Sequence, residues 1–304
     1  MQVRLTSLEA LEKMMADDQD DKRTQGQPET LAEVWEAELK AKERLAQITH
    51  KLLVMSGKGG VGKSTVAVYL ALGLARRGHR VGLLDVDLHG PDIARMLGLK
   101  GRLHMGPEGG IQPQAGQENL EVVSIEGFLA DRDAPVIWRG PMKHKAIRQF
   151  LGEVEWGRLD YLVIDSPPGT GDEPLSVARI ASEARAVIVT TPQEVALADV
   201  RKAINFCRQV NLAILGLVEN MSVLICPHCG GEIHLFRRGG GEKTAAAMGI
   251  PFLGSLPFDL RVMEGGDLGQ PLDETSETSP FSRALAALLD AVEAGCRQQL
   301  GREK

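Results

Sequence analysis

One glycine-rich run constrains this chain more than any other feature: Gly57-Lys58-Gly59-Gly60-Val61-Gly62-Lys63-Ser64-Thr65. It follows the apolar run Leu52-Leu53-Val54-Met55 and opens a helical pattern at Ser64. A strand that turns through closely spaced glycines into a helix directs backbone N–H groups inward, where they surround anionic oxygens. The dipole of the helix N-terminus favours the same ligand. In such a loop the lysine, here Lys63, charges the site for the β and γ phosphates of ATP, and the hydroxyl of Ser64 binds Mg²⁺. With Gly57, Gly62, Lys63 and Ser64 in register, the chain reads as a P-loop NTPase. The second lysine, Lys58, is not demanded by this pattern. It is either a solvated charge or a cation reaching a phosphate, in the manner of an arginine finger supplied in trans.

From Lys51 onward short apolar runs alternate with longer helical patterns. The candidate strands are Leu52–Ser56, Val81–Asp85, Leu120–Ile125, Tyr161–Asp165, Ala186–Thr190, Ile214–Glu219 and Pro251–Gly254. Near-continuous apolar runs suit strands buried on both faces, and their alternation with helices predicts an α/β, doubly wound, mostly parallel sheet. Ligands of such sheets gather at the carboxyl ends of the strands. Two acidic strand ends lie there, Leu83-Leu84-Asp85-Val86-Asp87 and Tyr161-Leu162-Val163-Ile164-Asp165. Asp87, favoured over Asp85, suits positioning of the attacking water, and Asp165 suits holding Mg²⁺, its alternative being a local cap. The loop Pro167-Pro168-Gly169-Thr170-Gly171 is placed to respond when a γ-phosphate leaves.

Residues 1–50 differ in character and read as a charged helical arm, partly disordered, in front of a P-loop ATPase domain spanning 51–300. Within the arm, Thr30-x-x-Glu33 forms a capping-box pattern. Leu31, Val34, Leu39, Leu45 and Ile48 make a loose apolar stripe suited to packing or partner contact. At the other end, Phe281, Leu285, Leu288 and Val292 predict a helix packed on the sheet, its polar face carrying mixed charge. The net charge of −6 argues against general nucleic-acid binding. No apolar run approaches the roughly 18 residues needed to span a bilayer, and the polar N-terminus does not resemble a signal peptide. A cytoplasmic location follows as the expectation, with neither membrane nor nucleic acid as partner.

Four cysteines are too few for a disulfide scaffold in 304 residues. Two of them form the compact pair Cys226-Pro227-His228-Cys229-Gly230 within the ATPase domain, while Cys207 and Cys296 fall in helical patterns. Two thiolates are half of what tetrahedral Zn²⁺ or a [4Fe–4S] cluster requires, so two copies of the chain about a two-fold axis would complete a site. Spacing alone does not separate zinc from iron–sulfur, and a free dithiol or redox couple is the alternative. His228 reads as a solvent-facing knuckle residue.

In this order the P-loop, the acidic strand ends and the cysteine pair resemble the Mrp/ApbC family of P-loop ATPases, which act as iron–sulfur cluster carriers. The resemblance covers about residues 50–275 and includes Asp87-Leu88-His89-Gly90-Pro91, Val136-Ile137-Trp138-Arg139-Gly140-Pro141-Met142 and Asp165-Ser166-Pro167-Pro168-Gly169-Thr170-Gly171-Asp172. It continues through Glu219-Asn220-Met221-Ser222, the cysteine pair and Gly239-Gly240-Gly241-Glu242-Lys243. The resemblance implies a homodimer that binds Mg-ATP at each P-loop, through Gly57, Lys58, Gly59, Gly60, Val61, Gly62, Lys63, Ser64 and Thr65. It further implies that Lys58 crosses to the partner's nucleotide, and that Cys226 and Cys229 of both subunits bridge one [4Fe–4S] cluster. Asn220 would read the adenine, with Pro257 and Asp259 near the base. Apo iron–sulfur proteins and a cluster assembly scaffold are the implied partners.

Two departures stand out. Residues 1–50 lack the four-cysteine motif of eukaryotic scaffold relatives, and Arg237-Arg238 stand where a glycine is usual before the triple glycine. Two other uses of the fold remain to be weighed. A partitioning-type ATPase acting on DNA or membrane would want a basic C-terminal helix. A targeting ATPase for tail-anchored proteins would want a methionine-rich groove, and the ten methionines here are scattered.

Overall fold

The computed structural model describes residues 31–107, 109–128, 140–226, 228–236, 238–272 and 279–300. The acidic run at 17–21, Thr30 of the capping box, residues 136–139, Pro227 and Arg237 lie outside them. The first strands are β1 (His50–Ser56), β2 (Val81–Asp85), β3 (His104–Met105), β4 (Ile111–Gln112), β5 (Gln114–Ala115) and β6 (Leu120–Ser124). They are followed by β7 (Tyr161–Asp165), β8 (Arg185–Thr190), β9 (Ala213–Glu219), β10 (Leu224–Ile225), β11 (Glu232–Ile233) and β12 (Phe252–Ser255).

Eight of these form one sheet in the order β12-β9-β8-β1-β7-β2-β6-β5, parallel except for the pairing of β5 with β6. Each of the seven predicted strands is present with ends shifted by no more than two residues; the third stops at Ser124, where Ile125 begins a 3-10 turn. The non-consecutive neighbours around β1 follow from helical crossovers, which are needed to return a chain parallel to itself.

Alternation along each strand sends side chains to opposite faces and creates two cores. Leu53, Met55, Leu84 and Ile164 join one core with Phe150, Ile188 and Ile204. Leu52, Val54, Leu83 and Val163 join the other, with the helix Lys63–Arg76 and the C-terminal helix Pro280–Leu300. Phe281, Leu285, Leu288 and Val292 are all buried there, so the predicted stripe is the packed one.

The N-terminal helix, Leu31–Ala46, runs against the helix Gly140–Glu153. Ala41, Leu45 and Ile48 enter the core, whereas Leu39 is 50% exposed. At 100° per residue Leu39 and Leu45 stand about 120° apart around the helix, so they share no face. Ala41 and Leu45, four apart, do. Lys51 fastens the end of this helix by donating to the carbonyls of Leu45 and Ile48 and pairing with Glu183 at 3.0 Å.

Candidate functional site

Parallel pairing brings the strand ends to one edge. Val54 of β1 is opposite Asp165 of β7, and Asp85 of β2 is opposite Asp165 from the other side. The loop leaving β1 therefore opens directly beside two acidic strand ends. Its turns need glycine: Gly60 and Gly62 sit at φ +77° and +78°, where a side chain is disfavoured. At Gly57 the requirement is space. A Cβ there would lie 2.3 Å from the carbonyl carbon of Asp199, in the helix Glu194–Gln209. The helix Lys63–Arg76 then starts with no side-chain cap at Gly62, leaving its first N–H groups directed at the loop.

Lys63 is the electrostatic centre. Its ammonium lies 2.7 Å from Asp165 Oδ1 and 3.5 Å from Asp87 Oδ2, and it is 6% exposed. Burial pulls the Lys63 pKa down, but the carboxylates of Asp165 and Asp87 outweigh it and the net shift is upward. The Ser64 hydroxyl donates to Asp165 Oδ2 at 2.6 Å. A hydroxyl and a carboxylate that converge in this way match the oxygen ligands preferred by Mg²⁺. Burial raises the Asp165 carboxyl, against the pull of Lys63.

Asp85 and Asp87 have separate environments. Asp85 is fully buried and accepts from Ser124 Oγ at 2.9 Å and from the N–H of Asp87 at 3.1 Å. Burial, reinforced by the charge of Asp165, raises its carboxyl well above the ordinary range. Asp87 is also buried, at 7% exposed, but faces Lys63 and accepts from the N–H of His89. The loop after Asp165 is bonded to β1, with Ser166 donating to Val54 O and Gly169 to Ser56 O. Lys143 ties the helix Asp172–Ile180, which follows that loop, to the loop after Asp87, lying 2.6 Å from Glu173 and 2.9 Å from His89.

Lys58 is half-buried and pairs with no described carboxylate. Asn220, immediately after β9, is 5% exposed and donates from Nδ2 to the carbonyl of Val61 at 3.0 Å. Pro257 is buried, and Asp259 caps the helix Leu260–Leu268 while pairing with Arg261 at 2.6 Å. Glu219, which sequence reasoning passed over, is 2% exposed and accepts from the N–H of Gly241 at 2.6 Å. Its signal was legible: it is a third acid ending an apolar strand. The partnership of Lys143 with Glu173 and His89 had no local signal, since the three lie on separate elements.

The cysteines occupy the tip of the β10–β11 hairpin. Cys226 donates its N–H to Gly231 O, Gly230 donates to Cys226 O, and Gly230 turns at φ +71°. Cys226 is half-buried and Cys229 and His228 are exposed. The backbone N–H groups of Cys229 and His228 and the Cys229 thiol all favour a thiolate at Cys226, lowering its pKa. Arg238, beyond β11, pairs with Glu232 of that strand at 2.7 Å. Among the described residues no cluster of three or more His, Cys, Asp or Glu could hold a metal. Also among them, no helix is long and apolar enough to cross a membrane.

Residues 47–293 match the ParA family described as NUBPL iron-transfer P-loop NTPase. The iron-sulfur cluster carrier protein of Methanocaldococcus jannaschii is 44% identical over 269 residues, 88% of this chain and 93% of its own. The cytosolic Fe-S cluster assembly factor CFD1 of Eremothecium gossypii is 51% identical, over 82% of this chain and 94% of its own. Among solved structures, a nucleotide-binding protein of Archaeoglobus fulgidus in complex with ADP superposes with a TM-score of 0.69 at 42% identity. That match covers 81% of this chain and 95% of the other. The cell division ATPase MinD of Pyrococcus furiosus, at 24% identity and a TM-score of 0.60 over 81% of this chain and 99% of its own, shares the fold.

Proposed function

Because the chain belongs to the ParA family of iron-transfer P-loop NTPases, we propose that it hydrolyses ATP and carries a transient [4Fe–4S] cluster to apo-proteins. The observation that carries this reading is the exposed Cys226–Cys229 hairpin, two thiols short of a complete site, on a chain with an assembled phosphate loop. A homodimer supplies the missing pair. Each subunit contributes Cys226 and Cys229, and the N–H groups around Cys226 stabilise the sulfur as the thiolate that binds iron. The cargo is held at an exposed tip, as a substrate that must leave requires.

At the other site, Lys63 and the amides of Gly59, Gly60, Val61, Gly62, Ser64 and Thr65 hold the phosphates. Ser64 and Asp165 hold Mg²⁺, which supplies charge neutralisation at the phosphates when bound. Asp87, 3.5 Å from the Lys63 ammonium, positions the attacking water. Lys58, with no carboxylate partner among the described residues, extends to the partner subunit's nucleotide. Asn220 secures the loop through Val61 and, with Pro257 and Asp259, borders the adenine.

The test is anaerobic purification and reconstitution with iron and sulfide, reading visible absorbance and iron per dimer beside a Cys226→Ala control. The expected result is about four irons per dimer, lost in the variant. Zinc alone, or cluster binding indifferent to the substitution, overturns the proposal.

A further inference from the structure

The phosphate loop and the cysteine hairpin are joined by four consecutive residues, Asn220 to Val223, between the end of β9 and the start of β10. The first of these braces the loop. A Cβ placed on Gly62 would lie 2.2 Å from Asn220 Nδ2 and 3.4 Å from Met221 Cε, so Asn220 packs tightly on the point where the loop becomes a helix and Met221 borders it at van der Waals distance. Met221 stands at φ +56°, a left-handed conformation that a side-chain-bearing residue keeps only when its surroundings enforce it. Ser222 is held by two bonds to Leu256 O, both 3.0 Å, and Val223 O accepts from Phe258 at 2.7 Å.

The returning end of the hairpin is anchored to the same strand end. It runs into the helix Gly240–Ala247, whose N–H at Gly241 is held by Glu219 at 2.6 Å. The approach is close, since a Cβ on Gly241 would lie 2.9 Å from Glu219 Cβ. The hairpin therefore leaves the fold beside Met221 and re-enters it against Glu219. A displacement of Gly62 reaches Asn220 and Met221 directly, while Glu219 holds the other end still.

We propose that Met221 and Glu219 are positioning residues that transmit the state of the phosphate loop to the Cys226–Cys229 hairpin, so that nucleotide alters the exposure of the two thiols. This deepens the carrier reading and takes its purpose from it, but its test needs no cluster. Cys207 and Cys296 are buried, so rapid alkylation by iodoacetamide in the cluster-free full chain reports Cys226 and Cys229. Rates are compared with and without Mg-ADP and Mg-ATP, with nucleotide affinity measured in parallel.

In the unsubstituted protein nucleotide changes the alkylation rate by about threefold or more. Met221→Gly, which relieves the left-handed backbone and removes the side chain, brings that ratio to about 1 without abolishing nucleotide binding. Glu219→Ala does the same, and Glu219→Gln, which still accepts from Gly241, retains the ratio. A rate indifferent to nucleotide in the unsubstituted protein, or an unaltered ratio in Met221→Gly, overturns the proposal. If Glu219→Ala does not fold, Met221→Gly decides alone. Failed cluster reconstitution with the expected thiol ratios would instead remove the carrier reading and leave this coupling standing.

Discussion

The ammonium of Lys63 lies 2.7 Å from the carboxylate of Asp165, with both side chains almost wholly removed from solvent. This one cation offsets three acids, since Asp87 is 3.5 Å away and Asp85 adds its charge from the neighbouring strand. Lys63→Ala would leave those acids around a void. Removing one partner of a buried pair costs about 3–5 kcal/mol, part of it recovered when carboxylates take up protons. The variant is expected to lose nucleotide hydrolysis and to melt lower. Its deficit should narrow from pH 8 to pH 5.5, because losing the cation raises the folded-state carboxylate pKa values further. A deficit in the melting curves that does not change with pH would contradict this account.

Asp85→Asn should stabilise the nucleotide-free protein at neutral pH. The folded-state pKa of Asp85 is raised above its unfolded value by burial and by Asp165, so the folded protein binds the extra proton. Stability from this group is full below the unfolded pKa near 4 and is lost as pH rises through the folded one. Asparagine keeps an acceptor oxygen for the Asp87 N–H and turns its Nδ2 toward Ser124 Oγ, which then accepts, with no charge to bury. Scanning calorimetry should show a higher Tm at pH 8, by about 2–4 °C per kcal/mol for a chain this long, and a smaller gain at pH 5.

Two neighbouring glycines should respond differently to alanine. At Gly57 the new methyl meets the Asp199 backbone at 2.3 Å, and a backbone carbonyl in a helix cannot step aside. A loss of about 1–3 kcal/mol or more is expected. At Gly59 nothing lies within 4 Å and the φ is not left-handed, so the melting point without nucleotide should hardly move. Equal losses at both positions would show that the close approach to Asp199 is not what glycine serves.

Cys226 should titrate early for a cysteine. Hydrogen bonds from the N–H groups of Cys229 and His228 and from the Cys229 thiol place the Cys226 midpoint below the ordinary 9.0. The thiolate is the reacting form, so the alkylation rate of Cys226 should level off at a lower pH than that of an ordinary thiol. Mass-resolved labelling between pH 6 and pH 10 reads the profile at Cys226. A midpoint at or above 9.0 would mean that the knuckle does not polarise its first sulfur.

Much of this protein was determined by local sequence. Leu52 to Met55 followed by spaced glycines, Lys63 and Ser64 specified strand, loop and helix, because backbone sterics and hydrogen bonding act over a few residues. The alternation of apolar strands with helical patterns likewise specified a doubly wound sheet. The pair Cys226 and Cys229 was visible from spacing alone. Tertiary structure decided what those elements do to one another. Parallel register set Asp85 beside Asp165 and so separated it from the more open Asp87, a distinction of burial that no spacing encodes. It aimed Asn220 at Val61 across 159 positions of sequence and closed Glu219 onto Gly241. The reason is physical: a buried charge or a strained backbone angle is set by which surfaces meet, and those surfaces come from distant parts of the chain.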